Sequence, residues 1–254
     1  MRAHRSTALR RVTDLLRAAI VAGSIPHFLP SEQELQRAYG ASRNVIRDAL
    51  ATLRREGFID RHQGAGTFVV GRRYRHRVDR FGGFRSGAAV LREPIAHEMV
   101  DPAPPVVVTM LELVDGSPAV MIDRLTVTDG EPTSLWTSYL PPDLEPIIER
   151  LHRVDSLHDV IAQIAGAPIT EVLFSISAGI ANGPVAEVLE IAEGDAVIRQ
   201  QRVARLATGR VVEFAVGWMR GDRMTVETMR RSDGVRTPDR AESSPSTPHE
   251  GLVP

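Results

Sequence analysis

"LPSEQELQRAYGASRNVIRDALATLRREGFIDRHQGAGTFV", Leu29 to Val69, decides how the front of this chain folds. Ser31 with Glu34 three positions on forms a capping box behind Pro30, and Leu35, Ala38 and Tyr39 give a short apolar stripe before Gly40. Ser42 caps a following helix whose stripe runs through Ile46, Ala49, Leu50 and Leu53 until Gly57 stops it. Two short helices joined by a tight glycine-containing turn make a helix-turn-helix. "FIDRHQGAGTFVV" then reads as two strands, Phe58 to His62 and Thr67 to Val70, folded about Gly64-Ala65-Gly66, whose glycines permit positive φ and leave backbone amides bare. A hairpin in that place is a wing. Upstream, "STALRRVTDLLRAAIVAG" repeats Val12, Leu15, Leu16, Ala19 and Ile20 at three and four residues, which predicts a first helix with one apolar face.

The polar side of the third helix carries the functional question. A recognition helix enters the major groove N-terminus first, which places Ser42, Arg43, Asn44 and Arg47 to meet bases and phosphates. Arg43 is the strongest candidate, since a bidentate arginine–guanine pair is worth about 1 to 3 kcal/mol of discrimination. The bland alternative for each arginine is a solvated surface charge. Arg54 and Arg55, late in the helix, suit phosphate contact or solvation equally.

The charge distribution agrees with a DNA-binding front. Residues 1–87 hold 17 Arg against 7 acidic residues, a net of +10, whereas residues 88–254 hold 14 against 25, a net of −11. All 31 basic residues are Arg; this uniformity along the chain reads as a coding bias and carries no functional weight. The 254 residues suffice for two modest domains. Zero cysteines exclude disulfide and thiolate chemistry and fit a reducing compartment. With no apolar run of membrane-span length and no signal-peptide core behind "MRAHRSTALRR", no membrane association is expected, and the chain is expected to stay in the cytoplasm.

"GRRYRHRVDRFGGFRSG", Gly71 to Gly87, lacks helical or strand periodicity and reads as an interdomain linker, either a flexible spacer or a segment that also touches phosphates. Phe81 and Phe84 argue that part of it docks on something. Beyond it the pattern changes to strands with short helices between. "PAVMIDRLTVTDGEPTSLWTSYLP" predicts a hairpin turning at Asp129-Gly130, and "AVIRQQRVARLATGRVVEFAVGWMRGDR" another turning near Thr208-Gly209. "DLEPIIERL", "SLHDVIAQIAG" and "GPVAEVLEI" read as helices and "ITEVLFSISAGI" as a strand, an α+β domain on an antiparallel sheet. "LELVDGSPAVMIDRL" and "LEIAEGDAVIRQQRV" echo one another, the mark of two related halves with a pocket between them, or simply of a repeated core. From Arg231 the chain is Pro, Ser and charge, and a disordered tail is expected.

The run Leu29 to Val69 resembles the winged helix-turn-helix of GntR-family bacterial transcription regulators. The resemblance implies DNA contacts at Gln33, Ser42, Arg43, Asn44 and Arg47 and at the wing-tip residues Gln63, Gly64 and Gly66, with Gln33 standing where family members often carry Arg. Residues 88–230 are similar to the UTRA effector-binding domain of the HutC subfamily, whose fold is like that of chorismate lyase. Carried over from that family's motifs, the effector pocket is expected at Arg124, Thr126, Trp136, Ser156, His158 and Glu213, with Trp218 close behind. Thr126 replaces a second Arg, His158 a Tyr and Trp136 a Glu. A site with one arginine suits a smaller carboxylate or zwitterion better than a sugar phosphate, with an aromatic wall for stacking. The alternative leaves Trp136 as core, His158 on a helix surface, and Arg124 with Glu213 as a structural pair.

The domain expectation is thus a winged helix-turn-helix over 1–72, a linker over 73–87, a UTRA domain over 88–230 and a tail over 231–254. No cofactor and no metal are expected: His97-Glu98 has no second His four residues on, there is no Gly-x-Ser-x-Gly elbow, and the eight His are scattered singly. The expected function is a ligand-responsive regulator, a repressor, binding a near-palindromic duplex operator as a homodimer. A chorismate lyase-like enzyme fused to a DNA-binding module, and a constitutive DNA binder with no effector, are the alternatives.

Overall fold

The computed structural model describes residues 2–25, 27–62, 66–70, 73–78, 90–153 and 156–229. Three helices come first, α1 (Arg2–Val21), α2 (Glu32–Tyr39) and α3 (Arg43–Arg55), followed by an antiparallel hairpin of β1 (Ile59–His62) and β2 (Gly66–Val69). The capping box forms as its spacing predicts: the Glu34 amide donates to Ser31 Oγ and the Ser31 amide to the Glu34 carboxylate, at 3.3 and 2.8 Å. Val12, Leu16 and Ile20 of α1 pack on Leu35, Ile46, Ala49 and Leu53, with Phe58 and Ile59 closing the core. Leu15, read as part of the α1 stripe, is instead 49% exposed. It stands one residue off the i, i+4 row of Val12, Leu16 and Ile20 that meets the core, and a single helix face buries only a limited arc.

Within the segment read as an aperiodic linker, β3 (Tyr74–Arg77) is a strand. The rest of the chain runs β4 (Val90–Val100), α4 (Pro105–Leu111), β5 (Ala119–Thr128), β6 (Glu131–Leu140), a series of 3-10 turns over Pro142–Arg153, α5 (Leu157–Ala165), β7 (Ile169–Ile180), α6 (Gly183–Leu189), β8 (Ala196–Leu206), β9 (Val211–Arg220) and β10 (Met224–Glu227). Six strands form one antiparallel sheet in the order β4-β5-β6-β9-β8-β7, while β3 and β10 pair in parallel as a separate ribbon. Asp129 and Gly130 have φ of 51° and 84°, the two positive values that a type I′ hairpin turn requires. "DLEPIIERL", read as an ordinary helix, adopts 3-10 turns, with Pro146 inside the run.

The sequence echo is a structural repeat. β4-α4-β5-β6 and β7-α6-β8-β9 have the same order, and both short helices end in a left-handed glutamate, Glu112 and Glu190, at φ of 56° and 53°. Each helix packs on the other half's hairpin, α4 against Phe214 and Val203 and α6 against Leu125 and Leu135, all on one face of the sheet. The opposite face is covered at one end by the 3-10 run and α5, through Leu144, Ile147, Leu157 and Ile161. At the other end Tyr74 of β3 and Met224 of β10 lie on Trp136 and Met219. A polar band is left between these two covers.

Trp136 and Gly217 are cross-strand partners, and the indole lies where a Gly217 side chain would be, within 2.6 Å of a Cβ placed there. Gly217→Ala is therefore expected to lower unfolding free energy in urea by about 1 to 3 kcal/mol, the usual result of overfilling a packed core. Unchanged stability would contradict this seating of Trp136.

Candidate functional site

The first candidate surface is the exposed start of α3. Ser42 caps it, its Oγ accepting from the Val45 amide, while Arg43, Asn44 and Arg47 are all exposed on the side away from Ile46 and Ala49. The Arg43 side chain is 72% exposed and lies 3.6 Å from Glu32, which also pairs with Arg61 of the wing at 3.3 Å. One carboxylate thus holds the fronts of α2, α3 and β1 together. An exposed pair of this kind adds little stability. Gln33 is exposed on α2 beside Glu32, and Gly66 opens β2 at φ 108°. Gln63 and Gly64 lie outside the described residues.

The second candidate site is the polar band on the sheet. Strand pairing puts Arg124, Trp136, Gly217 and Gln200 in one cross-strand row, and Ile122, Ser138, Ala215 and Arg202 in the next. Glu213 lies two residues before Ala215, on the same face. Its carboxylate is fully buried, and it accepts from Arg202 Nε at 2.8 Å, Arg202 Nη2 at 2.6 Å and Ser138 Oγ at 2.8 Å. His158 Nε2, from the first turn of α5, lies 2.8 Å from its other oxygen. Burial by itself would raise this carboxyl, but the charges of Arg202 and His158 and their hydrogen bonds outweigh it and hold Glu213 well below the usual carboxylate range. Arg202 also stacks on the Trp136 indole, 4.6 Å from the ring centre.

Arg124 is the contrasting member. Among the described residues its Nε is sealed from solvent with no hydrogen-bond partner. Burial, reinforced by the positive charges of Arg202 and Arg92 and opposed by Glu213, lowers it to about 10, so it stays cationic near neutrality. Ser134 Oγ and Gln200 Oε1, on the same face, are also buried without a hydrogen-bond partner among the described residues. The roof is β3, whose Tyr74 and His76 point inward; His76 senses the charges of Arg202 and Arg92.

The expected residues divide accordingly. Arg124, Trp136, His158 and Glu213 share this face, with Thr126 one row further on and buried. Ser156 stands beside them as the α5 cap, its Oγ accepting from the Asp159 amide. Trp218 does not belong: five residues from Glu213 on a strand, it points through the sheet, packs under α6 and is stacked by Arg199 at 4.9 Å. Arg202, Ser138, Arg92 and His76 were missed. The first was findable, because "DRL" at Asp123–Leu125 and "QRV" at Gln201–Val203 occupy the same place in the two halves, Leu125 and Val203 both lying under a short helix. The expected loss of half the site's positive charge at Thr126 is therefore made good by Arg202 from the second half.

β3 also reaches the other way. Arg73 donates to the Gly221 carbonyl at 2.9 Å and stacks on Phe58, behind α3, at 4.1 Å. Arg75 donates to the Ala22 carbonyl at 2.8 Å, at the end of α1, and lies 3.5 Å from Glu227 of β10.

Comparison with known proteins places both regions. The model of the UTRA domain matches residues 95–225, and that of the gntR family of bacterial regulatory proteins matches residues 8–69. The chain is 30% identical over 229 residues to the HTH-type transcriptional regulator Rv0792c of Mycobacterium tuberculosis, covering 85% of this chain and 83% of that one. It is 27% identical over 202 residues to the HTH-type transcriptional repressor NagR of Bacillus subtilis, covering 78% and 83%. In fold it is similar to PhnF from Mycobacterium smegmatis, with a TM-score of 0.60 at 24% identity over 80% of this chain and 92% of that one.

His76 gives this site a pH signature. Its pKa is pushed down to about 4, first by burial and then by the Arg202 and Arg92 charges, against about 6.5 in the unfolded chain. The unfolded state therefore takes up the proton first as pH falls. The stability is full above about pH 6.5 and declines toward pH 4, by up to about 3 kcal/mol from this group. Urea titrations of the wild type and of His76→Leu across that range are expected to show the decline in the former and a flatter profile in the latter. Parallel profiles would contradict the buried, neutral His76.

Proposed function

Proceeding from a chain that belongs to the GntR family of bacterial transcription regulators, in its UTRA-bearing HutC type, we propose that it is a repressor whose operator affinity is set by a small anion held on Arg124. The observation that carries this reading is the sealed, unpartnered Arg124 Nε beside a carboxylate already saturated by others. A buried N–H without an acceptor is unfavourable by about 1 to 3 kcal/mol, and an anionic ligand that accepts from it removes that penalty. Glu213 spends its acceptors on Arg202, Ser138 and His158, so it orders the donors rather than receiving an ammonium group. With Arg202 and Arg92 adding to Arg124, the site's charge favours a carboxylate or phosphate over a zwitterion, with Trp136 as its flat wall.

The front module, residues 1–72, binds duplex DNA through Arg43, Asn44 and Arg47 in the major groove, with Ser42 and Gln33 at its edges and the wing tip at Gln63, Gly64 and Gly66 against the backbone. Residues 88–230 form the sensor, joined to it through 73–87. As a homodimer it presents two recognition helices to half-sites about one helical turn, ~34 to 36 Å, apart. The coupling element is the segment Arg73–Arg77, since β3 roofs the effector site with His76 and the same segment holds the DNA-binding module with Arg73 and Arg75. An effector that favours one setting of this strand shifts the population of DNA-competent dimers. Nothing in this arrangement calls for catalysis, and no helix among the described residues is long and apolar enough to cross a membrane.

Two variants separate the two roles. Arg43→Ala is expected to lower specific operator affinity at least tenfold while leaving effector-induced thermal stabilisation intact. Arg124→Gln is expected to keep operator binding and the melting temperature of the free protein, or raise the latter, while weakening carboxylate and phosphate effectors at least tenfold. Metabolite screening by thermal shift and fluorescence anisotropy on the operator read both. Loss of both activities in either variant, or conversion of the stabilising metabolite to a product, would overturn the reading.

A further inference from the structure

Glu32 stands where a carboxylate is unfavourable for a DNA-binding surface. It opens α2 beside Arg43 and Arg61, and a negative charge in that place repels the phosphates those arginines would meet. The two ion pairs do not account for it through stability, since pairs with arginines 72 and 60% exposed contribute little to folding. Its own position is well fixed. As the first residue of α2 it lies at the positive end of that helix, and its side chain is only 21% exposed. Arg43 is placed the opposite way: it opens α3, where the helix dipole opposes a cation, and the first turn of α3 has no acidic residue to offset it. Among the described residues Glu32 is its one ionic partner.

The atoms in contact give the pair a direction. Glu32 Oε2 lies 3.6 Å from Arg43 Nε, the nitrogen nearest the stem, while Oε1 accepts from Arg61 Nη1 at 3.3 Å. Among the described residues Nη1 and Nη2 of Arg43 have no hydrogen bond. That fork is the pair of donors that matches guanine O6 and N7. A guanidinium attracted at Nε loses freedom about its stem while keeping its fork, so less remains to be ordered when it meets a base. We infer that Glu32 is a positioning residue for base reading: it aims Arg43 at guanine, and the chain gives up some non-specific DNA affinity for that selectivity. Arg61 holds the other carboxylate oxygen and so ties the aim of Arg43 to the wing. This inference rests on the DNA-binding reading of α3 above and adds what makes Arg43 selective.

Operator duplexes are selected from a randomised library with the full-length wild type, and Arg43→Ala marks the base pair that Arg43 reads as the one where a preference for guanine is lost. Anisotropy then measures duplexes with each base at that position, and a random-sequence duplex, over a range of salt. Glu32→Gln is expected to lower the guanine preference there at least fivefold and to leave the preferences at the other positions as in the wild type. It is also expected to bind the random duplex more tightly, with the slope of log affinity against log salt steeper by up to about 1. In the Arg43→Ala background Glu32→Gln should change no base preference. Glu32→Asp keeps the charge but withdraws it by one methylene, and should lose guanine preference without the gain on random DNA; it decides the matter should Glu32→Gln not fold. An unchanged guanine preference in the folded variants overturns the inference, as does an equal loss on selected and random duplexes, which marks a structural role. A cytosine preference that Glu32→Gln removes even without Arg43 shows Glu32 reading a base itself, and also overturns it. An Arg43→Ala variant that keeps every base preference overturns the reading of α3 and this inference with it.

Discussion

A carboxylate with no exposure to solvent organises the sensor half of this protein. Removing Glu213 from water is unfavourable by several kcal/mol, and only a full set of charged and polar donors makes that burial tolerable. Arg202, His158 and Ser138 supply the set, and each is fixed by doing so. Arg202 is held flat on Trp136; His158 ties the start of α5 to the sheet; Ser138 joins β6 to β9 through its side chain. What remains is Arg124, a cation kept on the same face by strand geometry and deprived of a carboxylate of its own. The uneven charge of the site follows from that imbalance rather than from any single motif.

The imbalance has its origin in the duplicated fold. Arg124 and Arg202 occupy the same place in the two halves, and the antiparallel junction of β6 with β9 brings both onto one face. The carboxylate has no counterpart on the first half, where "DGEPTSLW" sets Ser134 against the place that "TGRVVEFA" gives to Glu213. One half therefore supplies a satisfied arginine and the other an unsatisfied one.

The DNA-binding half was legible because its signals are local. A capping box, a glycine between two helices, and an amphipathic stripe at three and four residues each refer to neighbours in sequence, and the three helices and the hairpin follow them. Both long hairpins of the sensor were legible for the same reason, through Asp129-Gly130 and Gly209. What depends on distant pairing was not. β3 and β10 are four-residue strands that pair in parallel across most of the chain, and nothing local marks them. Trp218 was assigned to the pocket by nearness in sequence, although five residues along a strand reverse the face. Arg202 becomes legible only when the two halves are aligned position by position, which sets it against Arg124.

The two halves meet through β3. Its inward residues, Tyr74 and His76, complete the cover of the sensor site, while Arg75 bonds the end of α1 and Arg73, just before the strand, stacks on Phe58. The most direct measurement is operator affinity by anisotropy, with and without a stabilising anion, in wild type and in Arg73→Ala. The account predicts that the anion still raises the melting temperature of Arg73→Ala but no longer changes its affinity for DNA. An anion effect on DNA binding as large as in the wild type would contradict it.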